Sequence, residues 1–260
     1  MSPWAIVAAA YGAVLLGAAM LLPIPRRFVT VWACVAYLLL ALGAGAMPRT
    51  MWVSLALPAA LLLGGYWLSG FFFHAPQQWL EMRLLALDRR VFRATALDSV
   101  LERAPRWALE VLEGSYAAIS VVIAGGAIVA ALKGLPALEY FWTLVLAAEL
   151  GCYIWLPWLR SRPPRALEAP GVIARRGPTL RKLNAVVLDR GSVHANTLPS
   201  GHVAGAVAAA LGALPVNEAV ALGLLTAAAA IAVAATAGRY HYAVDCAAGA
   251  LVAVFVWSLV

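Results

Sequence analysis

Runs of about twenty apolar residues recur along almost the whole chain, and few folds can absorb them. A helix rising 1.5 Å per residue crosses a ~30 Å hydrocarbon layer in about 20 residues. Such runs lie at 4–23, 28–47, 51–73, 115–132, 137–158, 200–214, 219–237 and 243–260. They are separated by turn and interface signals: Pro25-Arg26-Arg27, Pro48-Arg49, Lys133-Gly134-Leu135-Pro136 and Pro215-Val216-Asn217-Glu218. With 64% hydrophobic and only 12% charged residues among 260, the chain has too little polar surface for a soluble globule. The expected fold is all-α: a polytopic membrane bundle of about eight transmembrane helices. The bilayer is its first partner.

Two segments do not read as spans. From 74 to 114, charges mix with an apolar stripe at Leu80, Leu84, Leu87 and Val91, followed by Leu101, Trp107, Val111 and Leu112. This predicts amphipathic helices on the membrane surface. From 159 to 198 the sequence reads as a polar loop rich in Arg and Pro. Trp4, Trp52, Trp155, Trp158 and Trp257 fall near span ends, where an indole either anchors in the headgroup layer or packs between helices. Cys34, Cys152 and Cys246 lack the spacing of a disulfide framework or zinc site.

Alternating the spans places seventeen of the nineteen basic residues on one side, leaving Arg49 and Lys133 opposite. The net charge of +7 is therefore read as a topology signal and not as a nucleic-acid footprint. By the positive-inside rule the rich side is cytoplasmic.

The same side collects three clusters: Arg162-Pro163-Pro164-Arg165, Pro199-Ser200-Gly201-His202, and Arg239-Tyr240-His241-Tyr242 with Asp245. The roughly 36 residues between His202 and Gly238 span about 54 Å, enough to cross twice and return to the same surface. Ser200 and Gly201 at a helix start offer backbone amides to an anion. His202 beside them can act as an acid. His241 and Asp245, four apart, are expected on one helix face, with the carboxylate orienting a nucleophilic imidazole. Arg162 and Arg239 bring planar donors matched to phosphate, and Arg165 is a further candidate for that clamp. Glu149, mid-span, is expected to be protonated or bonded to a neighbouring helix, over two turns from this site. His74 and His194 are not expected to take part.

The motif Pro199-Ser200-Gly201-His202, with His241, Asp245 and a preceding Arg, resembles the type 2 phosphatidic acid phosphatase superfamily of membrane lipid phosphatases and phosphotransferases. The resemblance covers residues 51–260. It implies a six-helix core with a surface insertion at 74–114 and the basic loop at 159–198, and leaves residues 1–50 as an added N-terminal hairpin. It further implies that His241 forms a phosphohistidine, that Asp245 orients it and that His202 protonates the leaving oxygen. Arg162, Ser200, Gly201 and Arg239 would bind a lipid phosphate or pyrophosphate, with no metal or cofactor. Two positions depart from the family pattern: Trp155 stands where a Lys is usual, and Ala234-Ala235 where Ser-Arg is usual. The compact Arg-Tyr-His-Tyr string is similar to the inositol phosphorylceramide synthase branch, so headgroup transfer to an alcohol stands beside hydrolysis. A proton-coupled transporter using Glu149, His241 and Asp245 is the alternative of another class. The family resemblance implies an extracytoplasmic site, opposite to the charge bias.

Overall fold

A computed structural model describes residues 1–260. Thirteen α-helices follow one another: α1 Pro3–Leu21, α2 Arg27–Ala46, α3 Met51–Gly70, α4 Gln78–Thr95, α5 Leu97–Arg103, α6 Arg106–Ala117, α7 Ile119–Lys133, α8 Leu135–Tyr153, α9 Val172–Arg176, α10 Thr179–Gly191, α11 Gly201–Ala213, α12 Glu218–Ala237 and α13 Ala243–Trp257. No sheet forms, and the one isolated β-bridge joins Ser161 to Asn196. Five helices, α1, α2, α3, α8 and α12, are long and apolar enough to cross a membrane. The bent pair α6 and α7 raises the number to six. The chain is a multi-pass helical membrane protein.

The helix starts follow local chemistry. Thr50 Oγ1 accepts the Val53 N–H at 3.3 Å and Asn217 Oδ1 accepts that of Val220 at 3.0 Å, each satisfying an otherwise orphaned first-turn donor. Helix α8 is the hub. Leu138, Phe141, Leu144, Val145, Leu146 and Ala148 are buried all round it, packed by α1, α3, α7, α11 and α13. Helices α1 and α2 pack on each other and share this core. The Tyr11 hydroxyl donates to the Gly65 carbonyl at 2.8 Å and that of Tyr37 to Leu61 at 3.0 Å. Trp4 is fully buried, whereas Trp52, Trp155, Trp158 and Trp257 remain exposed.

Three expectations change. The run at 115–132 is not one straight helix, because the chain bends by 57° between α6 and α7. The bend lets Glu113, 1% exposed, sit in a polar knot. Its carboxylate accepts from Arg181 at 3.0 Å, Asn184 at 2.7 Å and the Tyr240 hydroxyl at 2.5 Å, while its backbone carbonyl takes a second Asn184 bond at 2.9 Å. The segment 159–198 is not a simple loop either, since it carries α9 and α10. Leu180, Leu183 and Val187 recur at helical spacing there, hidden in the sequence by interleaved Arg and Lys. The 74–114 stripe also divides: Leu80 and Leu84 turn inward with Glu81, Leu85, Asp88 and Phe92, whereas Leu87 and Val91 stay exposed. Two acids seven residues apart thus share the inner face of α4, and both hold arginines of the site.

Candidate active site

The segment Gly238–Tyr242 turns the chain from α12 into α13, and its geometry fixes His241. Arg239 adopts a left-handed backbone, φ 61°, so that the N–H groups of Tyr240 and His241 both reach the Ala235 carbonyl, at 2.9 and 3.1 Å. His241 therefore precedes α13 and does not share a helix face with Asp245, as its spacing had implied. Asp245 stands at the third position of α13, where its carboxylate accepts the Tyr242 N–H at 3.1 Å and caps the helix. That cap aims Oδ2 at His241 Nδ1, 3.7 Å away. Both residues are buried, and the side-chain amide of Asn196 lies beside Asp245.

The second histidine arrives on α11. Ser200 caps this helix through Oγ to the Val203 N–H at 3.5 Å, while its own N–H donates to the Asp245 carbonyl at 2.9 Å, tying the starts of α11 and α13 together. Two glycines make this approach feasible: a Cβ at Gly249 would collide with the Ser200 carbonyl, and one at Gly201 with the Tyr153 ring. The His202 ring stacks on Tyr116 at 5.3 Å and faces the His241 ring at 5.6 Å. Tyr116 in turn stacks on Tyr240 at 3.8 Å.

The arginines divide differently from the sequence expectation. Arg162 forms a fork with Glu81, Nε and Nη2 each at 3.0 Å, and its backbone N–H adds a third bond at 2.9 Å. Arg239 pairs with Asp88 and Glu168. Both guanidiniums are thus engaged by carboxylates, and both latch the surface helix α4 to the loops of the histidine cluster. Arg165 takes the position near the rings. Its Nη1 donates to the Tyr240 carbonyl at 3.3 Å, its guanidinium lies 5.5 Å from the Tyr240 ring, and no carboxylate pairs with it. Burial, reinforced by the positive charge of Arg165, pushes His241 down from 6.5 to about 3, so its imidazole is neutral and keeps a free lone pair at physiological pH. The structure thus gathers His202, His241, Asp245, Ser200, Gly201 and Arg165. His74 bonds the Phe72 carbonyl at 3.0 Å, and exposed His194 occupies a left-handed turn, both outside the cluster.

Sequence reasoning did not find Glu81, Asp88 and Glu168 as partners of the site arginines, nor Tyr116 and Asn196. The seven-residue spacing of Glu81 and Asp88 on an amphipathic helix was the available signal for the first two. The Arg162 pair also gives a pH prediction. Hydrogen bonds and charge from Arg162 hold the Glu81 carboxyl below its ordinary 4.5. A depressed carboxyl stabilises the fold above its unfolded value and loses that contribution as pH falls through the folded one. Thermal unfolding of the purified protein, followed downward from pH 6, should therefore show a loss of stability beginning near 4.5 that is flattened in Arg162→Ala.

No family model, curated protein or solved structure matches the chain.

Proposed function

We propose that the protein is an integral membrane phosphatase acting on a lipid phosphate or pyrophosphate, of the type 2 phosphatidic acid phosphatase kind. The observation that carries this is the meeting of two imidazoles from separate helices, 5.6 Å between ring centroids, one backed by a buried carboxylate. In this mechanism the free nitrogen of neutral His241 attacks phosphorus, the phosphorus–oxygen bond to the lipid breaks, and His202 gives its proton to the departing oxygen. Water then attacks the phosphohistidine, returning its proton to His202 as the phosphorus–nitrogen bond breaks. Arg165 supplies the uncommitted positive charge for the phosphoryl oxygens. Release of inorganic phosphate from lipid phosphates in detergent or nanodiscs, inhibited by vanadate, tests this reading; no release from any lipid phosphate or pyrophosphate overturns it.

A second reading, transfer of a phosphorylated headgroup to an alcohol, is favoured by a cavity of about 1170 Å³ beside the His241 turn. Arg89, Arg90, Arg93, Arg175 and Arg239 line it together with Asp98, Glu102 and Glu168, a polar wall of mixed charge that suits a hydroxyl-rich co-substrate. Product analysis separating free phosphate from a new phosphodiester distinguishes the two.

Counting the α6–α7 pair as one crossing and adding the shorter apolar helices α11 and α13 gives eight spans, with α1 and α2 as an N-terminal hairpin. The charge bias supports a cytoplasmic face of the cell membrane for the histidines, and the family resemblance the opposite face. If the histidines are cytoplasmic, a cysteine replacing Lys133 should react with an impermeant maleimide in intact cells, and one replacing Arg175 only after permeabilisation. The opposite pattern reverses the orientation.

A further inference from the structure

A cavity of about 360 Å³, within the range of small-ligand pockets, lies between α3, α7, α8 and α10. Leu63, Leu183 and Val187 edge it, each more than half exposed, so in a bilayer it opens sideways to the lipid chains. Its lining includes His202 and, on α8, Glu149. Glu149 is only 4% exposed in the middle of an apolar helix, where an acid is costly. Its neighbour Tyr153, on the same helix, donates to Oε2 at 2.8 Å, and Oε1 has no hydrogen-bond partner. Oε1 lies against Gly205, where a Cβ would overlap the carboxylate. Gly205 is three residues beyond His202, about 4.5 Å along α11. Glu149 is therefore about one turn from the second histidine, not remote from it.

We propose that Glu149 Oε1 accepts a hydrogen bond from a hydroxyl or N–H on a lipid whose chain occupies this cavity, setting the depth at which the lipid phosphate meets His202 and His241. The axial offset of about 4.5 Å equals roughly three covalent bonds. The ligand class is a long-chain amphiphile with a donor close to its phosphorylated carbon, in preference to one bearing only ester or hydrocarbon groups there. Glu149 acts as a positioning residue. The assignment rests on the phosphatase reading for what His202 does, but not for the binding step.

The test therefore uses ligands without phosphate: a long-chain 1,2-diol and its dimethyl ether of equal chain length, titrated by tryptophan fluorescence against the full chain in nanodiscs. The wild type should bind the diol about tenfold or more tightly than the ether. Glu149→Leu should lose that preference while keeping its affinity for the ether, and Glu149→Gln, which retains an acceptor, should keep part of it. Equal affinities in the wild type overturn the proposal whatever the variants do, as does a preference that persists in Glu149→Leu. A protein that prefers the diol but releases no phosphate from any lipid phosphate refutes the phosphatase reading and leaves the Glu149 assignment standing.

Discussion

Replacing His241 with alanine should reduce phosphate release by about a thousandfold or more, because no neighbouring group can replace a nucleophile that forms the covalent intermediate. The fold should survive. The ring makes no hydrogen bond through Nδ1, and the turn that carries it is held by the backbone bonds to Ala235. His202→Ala should behave differently. Loss of a general acid costs typically ~10²–10⁴-fold, and the deficit should shrink with an aryl phosphate, whose leaving oxygen needs no proton. Equal losses on lipid and aryl substrates would argue that His202 holds the site together and does not act as its acid. Steady-state rates on both substrates, with a thermal melt of each variant, provide the check.

The second large effect concerns stability. Asp88→Ala should cost about 3–5 kcal/mol, the range for breaking a buried ion pair from one side. The Asp88 side chain is fully buried, pairs with Arg239 and accepts the Ala243 N–H at 2.9 Å where α13 begins. Its removal leaves a guanidinium that is 12% exposed with Glu168 alone, and an amide without an acceptor. Since Arg239 lies two residues before His241, activity should fall as well. Asp88→Asn, which keeps an acceptor for Ala243, should lose less. A double-mutant cycle with Arg239→Leu should show coupling well above the ~0.5 kcal/mol expected of independent sites. Purely additive losses would mean that α4 is not latched to the site through this pair.

These ion pairs mark where sequence reading stops. Apolar runs are legible because lipid demands about twenty apolar residues per crossing, and the positions of α1, α2, α3, α8 and α12 follow from that demand. The histidines are legible because Pro199-Ser200-Gly201-His202 and His241 with Asp245 are rare residue types in a chain that is otherwise apolar. The fate of Arg162 and Arg239 is not legible, since a free guanidinium and one forked onto Glu81 or Asp88 have the same one-dimensional signature. Arg165, three residues from Arg162, is distinguished only by which side chains the fold brings to it. The bend at Ala118 is similarly hidden, because the partners Glu113 meets beside it, Arg181, Asn184 and Tyr240, lie in distant segments. Glu149 shows the same limit: along the chain it stands far from His202, yet Gly205 brings the two helices into contact.

The central claim is that His241 carries the phosphoryl group. Purified protein mixed with a lipid phosphate labelled at phosphorus, quenched in alkali within a turnover, should yield a labelled peptide containing His241 whose label is stable to base and lost in acid. His241→Ala should give no label under the same conditions. A label that is absent from the wild type during active turnover, or that resides on a serine or a carboxylate, would contradict the account.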